Sequence, residues 1–181
     1  LNACTKKTTD TSIVNLAIWG NYLSKDTEQR FTEKTGIKIQ VMNYASNEEL
    51  LAKIQSGASG IDVAVPSDYM VEVMTKLELL ERLQKEKILA AKKLLPELMG
   101  QSFDKQNIYS LPYAWAVVGI AVNRELYKEP INSWRDLMEN PKLRGKISLL
   151  DDVREVLGSV LKMQGESVNS TDAAILKTAR D

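Results

Sequence analysis

Two groups of side chains in this sequence have the types and spacing to hold a ligand. The first is acidic. In "SLLDDVREVLGSVL", residues 148–161, an apolar run ends in Asp151 and Asp152, and Glu155 follows one helical turn later. The second is aromatic and polar. It comprises Trp19 and Tyr22 in "WGNY", Tyr44 after "IQVMN", and Ser67 and Tyr69 in "PSDY". Carboxylates give an ammonium group a counter-charge and a short, charge-assisted hydrogen bond. Aromatic faces attract the same cation through their quadrupole, worth about 0.5–2 kcal/mol depending on desolvation. The rings also cover methylene groups, at about 25 cal/mol per Å2 of apolar surface removed from water. Together these residues suit an organic cation with an apolar body.

Composition narrows the alternatives. The 181 residues carry 24 Lys plus Arg and 24 Asp plus Glu, a net charge of zero, so no basic excess points to nucleic acid. Histidine is absent, which removes the usual general base and most zinc or iron sites. Asp151, Asp152 and Glu155 have the residue types of an acid–base set, but no histidine, metal-ligand cluster or nucleophile elbow accompanies them, and we read no enzyme here. Hard cations remain compatible with carboxylates. The single cysteine, Cys4, closes "LNAC", with a Leu three residues before it and a small residue directly before it. That pattern resembles the end of a bacterial lipoprotein signal, where the Cys carries lipid, and the polar "TKKTTDTS" after it suits a tether. No run approaches the ~20 apolar residues of a membrane span.

The elements that must position these residues alternate between two periods. "IVNLAIW" (13–19), "IKIQVMNY" (37–44) and "IDVAVP" (61–66) read as strands. Helices are expected after Ser24, ending at Gly36, and after Ser46, where Glu49 completes a capping box and Gly57 stops the run. A third follows in "DYMVEVMTKL". A βαβαβ series argues for a parallel sheet covered by helices. Helical spacing continues through "ERLQKEKILAAKKLLPELMG", the run 114–122 reads as a strand, "NSWRDLMEN" as a short helix, and "KISLL" as another strand. In open α/β sheets ligands bind beyond the carboxyl ends of the strands. Those ends are where Trp19, Tyr22, Tyr44, Ser67, Tyr69, Asp151 and Asp152 stand.

Each residue also has a plain structural use. Asp151 reads as a helix cap, Trp19 as a candidate core residue, Ser67 and Asp68 as N-caps, and Tyr22 and Tyr69 as rim cover. Trp115 and Trp134 read as packing residues.

The blocks "GIKIQVMNYASNEELLAKI", "GIDVAVPSDYMVEVM", "YSLPYAWAVVGIAVN", "SWRDL" and "LLDDVREVL" resemble, in order and spacing, the periplasmic spermidine/putrescine-binding proteins of polyamine ABC transporters. The resemblance implies a type II periplasmic-binding-protein-like α/β fold of two lobes that close on ligand. Residues 1–12 would be signal remnant and tether, 13–116 a nearly complete first lobe, and 117–181 the start of a truncated second lobe. It implies an extracytoplasmic monomer that binds a polyamine, delivers it to a membrane permease and uses no cofactor; the Cys4 pattern adds the lipid anchor. The aromatic clamp falls on Trp19 and Tyr22, the "PS-x-Y" turn on Ser67 and Tyr69, and the amine-binding acids on Asp152 and Glu155, leaving Asp151 as the cap. One departure stands out: Gly20 occupies the place where the family commonly has a hydroxyl residue. A protein of the same fold taking another small cation, a zwitterion or a metal ion is the alternative.

Overall fold

The computed structural model describes residues 12–57 and 60–181, so Cys4 and its signal-like surroundings lie outside the described residues. The chain divides after Trp115 into two compact units.

In the first unit, β1 (Ile13–Trp19) lies between β2 (Lys38–Tyr44) and β3 (Val63–Ala64), and both pairings are parallel. Register runs from Ile13 opposite Lys38 to Trp19 opposite Tyr44. The central strand is apolar almost throughout because helices cover it, and Ala17 and Ile18, which point to opposite faces, are both buried. The third strand is shorter than 61–66 suggested. Ladder-like bonds nonetheless flank it, from the Asp62 amide to the Asn15 carbonyl (3.0 Å) and from the Val65 amide to the Ala17 carbonyl (2.9 Å). Pro66, with no N–H to give, stands where the pairing ends.

Three helices connect and follow these strands: α1 (Thr27–Thr35), α2 (Asn47–Gln55) and α3 (Asp68–Lys76). The capping box forms as expected at α2. The Ser46 hydroxyl accepts the Glu49 amide (3.1 Å), and the Glu49 carboxylate accepts the Ala45 amide (2.8 Å). Gly36 closes α1 at φ 74°, a left-handed conformation that a Cβ would oppose. The start of α1 differs from expectation. Asp26 occupies the N-cap, and Ser24 spends its hydroxyl on the Asp26 carboxylate (2.8 Å) and the Thr27 hydroxyl (2.6 Å) in a preceding turn. Leu50 of α2 and Met70 and Met74 of α3 close over Ala17 and Tyr44 to form the core.

The stretch 85–98 is a series of three short 3-10 helices, Lys85–Lys87, Leu89–Lys93 and Pro96–Leu98, rather than the amphipathic helix its spacing suggested. Leu89 is 75% exposed, so no buried apolar stripe rewards an α-helix there. A buried carboxylate ties down the loop that follows. Asp104 accepts the amides of Ile108, Tyr109 and Ser110 and the Ser110 hydroxyl, all at 2.8–2.9 Å. Burial pushes this carboxyl upward, but the four donors outweigh it and hold its pKa below the ordinary value.

The second unit contains α4 (Trp134–Met138), α5 (Val153–Gln164) and α6 (Ala173–Arg180). Leu161 of α5 and Ala179 of α6 are buried. The expected strands at 114–122 and in "KISLL" do not form: among the described residues nothing pairs with either segment. A strand is completed by its ladder, and apolar sequence alone does not supply one. Trp115, expected to pack, is 70% exposed, and Val117 is 81% exposed. Trp134 is half-buried, in keeping with packing. Among the described residues no helix is long and apolar enough to cross a membrane.

Candidate functional site

In the first unit the carboxyl ends of the strands carry a chain of rings. Trp19 and Tyr44, opposite each other in register, have ring centroids 4.7 Å apart at an interplanar angle of 60°. Tyr22 lies 6.5 Å from Trp19 and stacks on Tyr113 at 6.3 Å and 22°. The Tyr113 hydroxyl donates to the Tyr22 carbonyl (2.6 Å), which fixes the turn after β1 where Asn21 adopts φ 65°. Trp19 is half-buried against the core and Tyr22 is exposed, so the cluster grades from interior to solvent. Tyr44 belongs to the interior end. Its hydroxyl donates to the Val65 carbonyl, and burial, with a smaller push from Tyr22, raises its pKa well above the usual phenol range. Tyr44 is therefore a neutral donor whose ring supports Trp19. Beside Trp19, a Cβ placed on Gly20 would meet nothing within 4 Å, so packing does not require glycine there.

Ser67 and Tyr69 are brought together by a residue that sequence reasoning missed. Asn47, the first residue of α2, is 1% exposed. Its Oδ1 accepts the Ser67 amide (2.9 Å), and its Nδ2 donates to the Ser67 hydroxyl (3.1 Å) and the Tyr69 hydroxyl (3.0 Å). The Tyr69 hydroxyl donates in turn to the Glu48 carboxylate (3.2 Å). In the sequence Asn47 looks like one more polar residue in a solvated first turn. Its partners lie some twenty positions away, and no local pattern announces them.

The second unit places the acidic pair at the start of α5. The cap is Asp152, not Asp151. Asp152 is in extended conformation, and its Oδ1 accepts the amides of Arg154 (2.9 Å) and Glu155 (3.1 Å). Asp151 is exposed. Two adjacent acids compete for one cap, and backbone conformation rather than residue type decides which wins. Arg154 points its guanidinium to Asn169 (2.9 Å). Glu155 lines a cavity of about 700 Å3 within this unit, together with residues that include Val118, Tyr127, Trp134, Leu150 and Ser159. Capping engages one oxygen of Asp152. Among the described residues no group of three or more His, Cys, Asp or Glu side chains is placed to hold a metal ion.

The family of bacterial extracellular solute-binding proteins matches residues 28–180. The chain belongs to this family. It is 39% identical over 169 residues, 92% of its length, to spermidine/putrescine-binding periplasmic protein 1 of Haemophilus influenzae. Identity to the spermidine/putrescine-binding periplasmic protein of Escherichia coli is 35% over 163 residues, 89% of this chain. Each match covers 47% of the relative, so the chain spans about half the length of the curated relatives it matches. Among solved structures, a putative spermidine/putrescine ABC transporter protein from Listeria monocytogenes matches with a TM-score of 0.90 and 37% identity, over 94% of this chain and 53% of that one. The TpPotD lipoprotein of Treponema pallidum matches with a TM-score of 0.85 and 30% identity, over 93% of this chain and 53% of its own. This solute-binding family member thus has the α/β fold of periplasmic binding proteins over the part of them that it covers.

Proposed function

We propose that the chain is the extracytoplasmic substrate-binding component of a polyamine ABC importer. The observation that supports this most is the graded aromatic cluster at the strand exits, Trp19 with Tyr44 and Tyr22, in a chain 39% identical to a protein named for binding spermidine and putrescine. Protonated polyamines alternate ammonium groups with short methylene runs. Trp19 and Tyr22 cover methylenes and attract the adjoining cations. Ser67 and Tyr69 supply polar contacts, and Asp152 and Glu155 receive ammonium groups. Residues 13–116 and 117–181 belong to two lobes of the periplasmic-binding-protein fold. The ligand is released unchanged to a membrane permease, since binding by these groups transforms nothing. The binding protein works as a monomer, held at the membrane by lipid on Cys4.

Titration calorimetry of the complete gene product tests the reading. Saturable heat with putrescine or spermidine, and none with thiamine or Ca2+ at equal concentration, is expected. No heat with any polyamine would remove it.

A further inference from the structure

We infer that Asn47 is a positioning residue that sets the direction of hydrogen bonding at Ser67 and Tyr69, and that through Tyr69 it holds Glu48 as an acceptor for an ammonium group. This rests on the polyamine reading above and adds a carboxylate in the first unit that the aromatic clamp and the acids of α5 do not include.

The argument starts from which atom of the Asn47 amide faces which partner. A backbone N–H can only donate, so the Ser67 amide, 2.9 Å away, requires Oδ1 on its side. That fixes Nδ2 toward the two hydroxyls, at 3.1 Å from Ser67 and 3.0 Å from Tyr69. An amide nitrogen offers two protons and no lone pair, so both hydroxyls must accept from it. Each then retains its own proton to give elsewhere. Tyr69 gives its proton to Glu48 at 3.2 Å. With Asn47 99% buried, water is no substitute partner, and the polarity of the whole set follows from one side chain.

The consequence reaches solvent at Glu48. This side chain is exposed at the second position of α2, and the hydroxyl of Tyr69 restrains a carboxylate that would otherwise sample many rotamers. A restrained carboxylate beside a phenol ring matches a primary ammonium and its first methylenes. It does not match an anion or a neutral sugar. The buried amide thus connects the packing of α2 against the Ser67 turn to the charge presented to a ligand.

The test is a double-mutant cycle on the complete gene product, read as affinity for putrescine and spermidine with thermal midpoints measured alongside. Tyr69→Phe should weaken binding about three- to tenfold, the worth of one ordinary hydrogen bond. In an Asn47→Asp background the same change should cost clearly less, because only the direct contact of Tyr69 with the ligand is then left to lose. An Asp at 47 has no N–H to donate and draws both hydroxyl protons to itself, so Glu48 has already been released. Equal effects of Tyr69→Phe in both backgrounds would overturn the positioning role. Glu48→Gln, an exposed change that tests the subsite even where Asn47→Asp fails to fold, should weaken binding by a similar factor. Unchanged affinity in Glu48→Gln would overturn the subsite while leaving the functional reading intact. A wild-type protein that binds no polyamine would overturn both.

Discussion

The two units contain segments of similar apolar character that end in different states. In the first, "IVNLAIW" becomes the central strand of a parallel sheet, with partners on both edges and Ala17 and Ile18 buried. In the second, residues 117–122 and 147–150 are as rich in Val, Ile and Leu, yet they form no ladder, and Leu149 and Leu150 remain 51% and 59% exposed. The contrast separates two requirements that sequence patterns blur. Apolar residues make a strand worth burying, but hydrogen-bonded neighbours make it a strand. The first unit has both within reach, because short crossovers return β2 and β3 to the edges of β1.

The largest test of this contrast compares equivalent losses of apolar surface. Leu50→Ala removes a fully buried side chain from the first core and is expected to cost about 2–5 kcal/mol in denaturant unfolding. Val117→Ser, at a position 81% exposed, should change stability by no more than about 0.5 kcal/mol. Comparable losses at the two sites would break the comparison.

A smaller effect sharpens it from the polar side. The first unit also stabilises irregular chain, through the four donors around Asp104. Asp104→Asn replaces an acceptor with an N–H donor facing other donors, and should destabilise by about 1–3 kcal/mol at neutral pH. The folded pKa of Asp104 lies below the ordinary 3.8, so its stabilisation is complete above that value and fades as pH falls through the folded pKa. Acid titration of stability should therefore be shallower in Asp104→Asn than in the wild type. Identical acid limbs would show that the carboxylate contributes nothing through its charge.

The smallest effect lies at the start of α5. Asp152→Ala should cost about 0.5–2 kcal/mol as a lost cap, and Asp151→Ala less than either limit of that range. Asp152→Asn keeps the cap, because Asn serves as well as Asp there, and removes only the charge. Its stability should match the wild type while polyamine affinity drops about tenfold, or ~1.4 kcal/mol. Unchanged affinity would confine Asp152 to capping.

What the sequence made legible follows the same division. β1, β2, the capping box at Ser46 and the stop at Gly36 are local signals, and the structure contains each of them. The gathering of Trp19, Tyr22 and Tyr44 at one rim followed from strand order, which parallel βαβ connections nearly dictate. The illegible parts depend on partners distant in sequence. Asn47 meets Ser67 and Tyr69 across twenty positions, Tyr113 reaches back 91 residues to Tyr22, and the run 114–122 lacks a neighbour. The Asp151–Asp152 choice was local but turned on a backbone angle that residue types do not reveal.

The central claim, that the aromatic rim itself receives the ligand, is tested most directly by fluorescence. The 181 residues contain three tryptophans, and comparing the complete gene product with its Trp19→Phe variant isolates the contribution of Trp19. Spermidine added to the complete gene product should shift tryptophan emission saturably, with a midpoint equal to the calorimetric dissociation constant. Part of that shift should be lost in Trp19→Phe, and added NaCl of equal ionic strength should produce none. Calorimetric binding with the same emission change in Trp19→Phe as in the wild type would contradict the account.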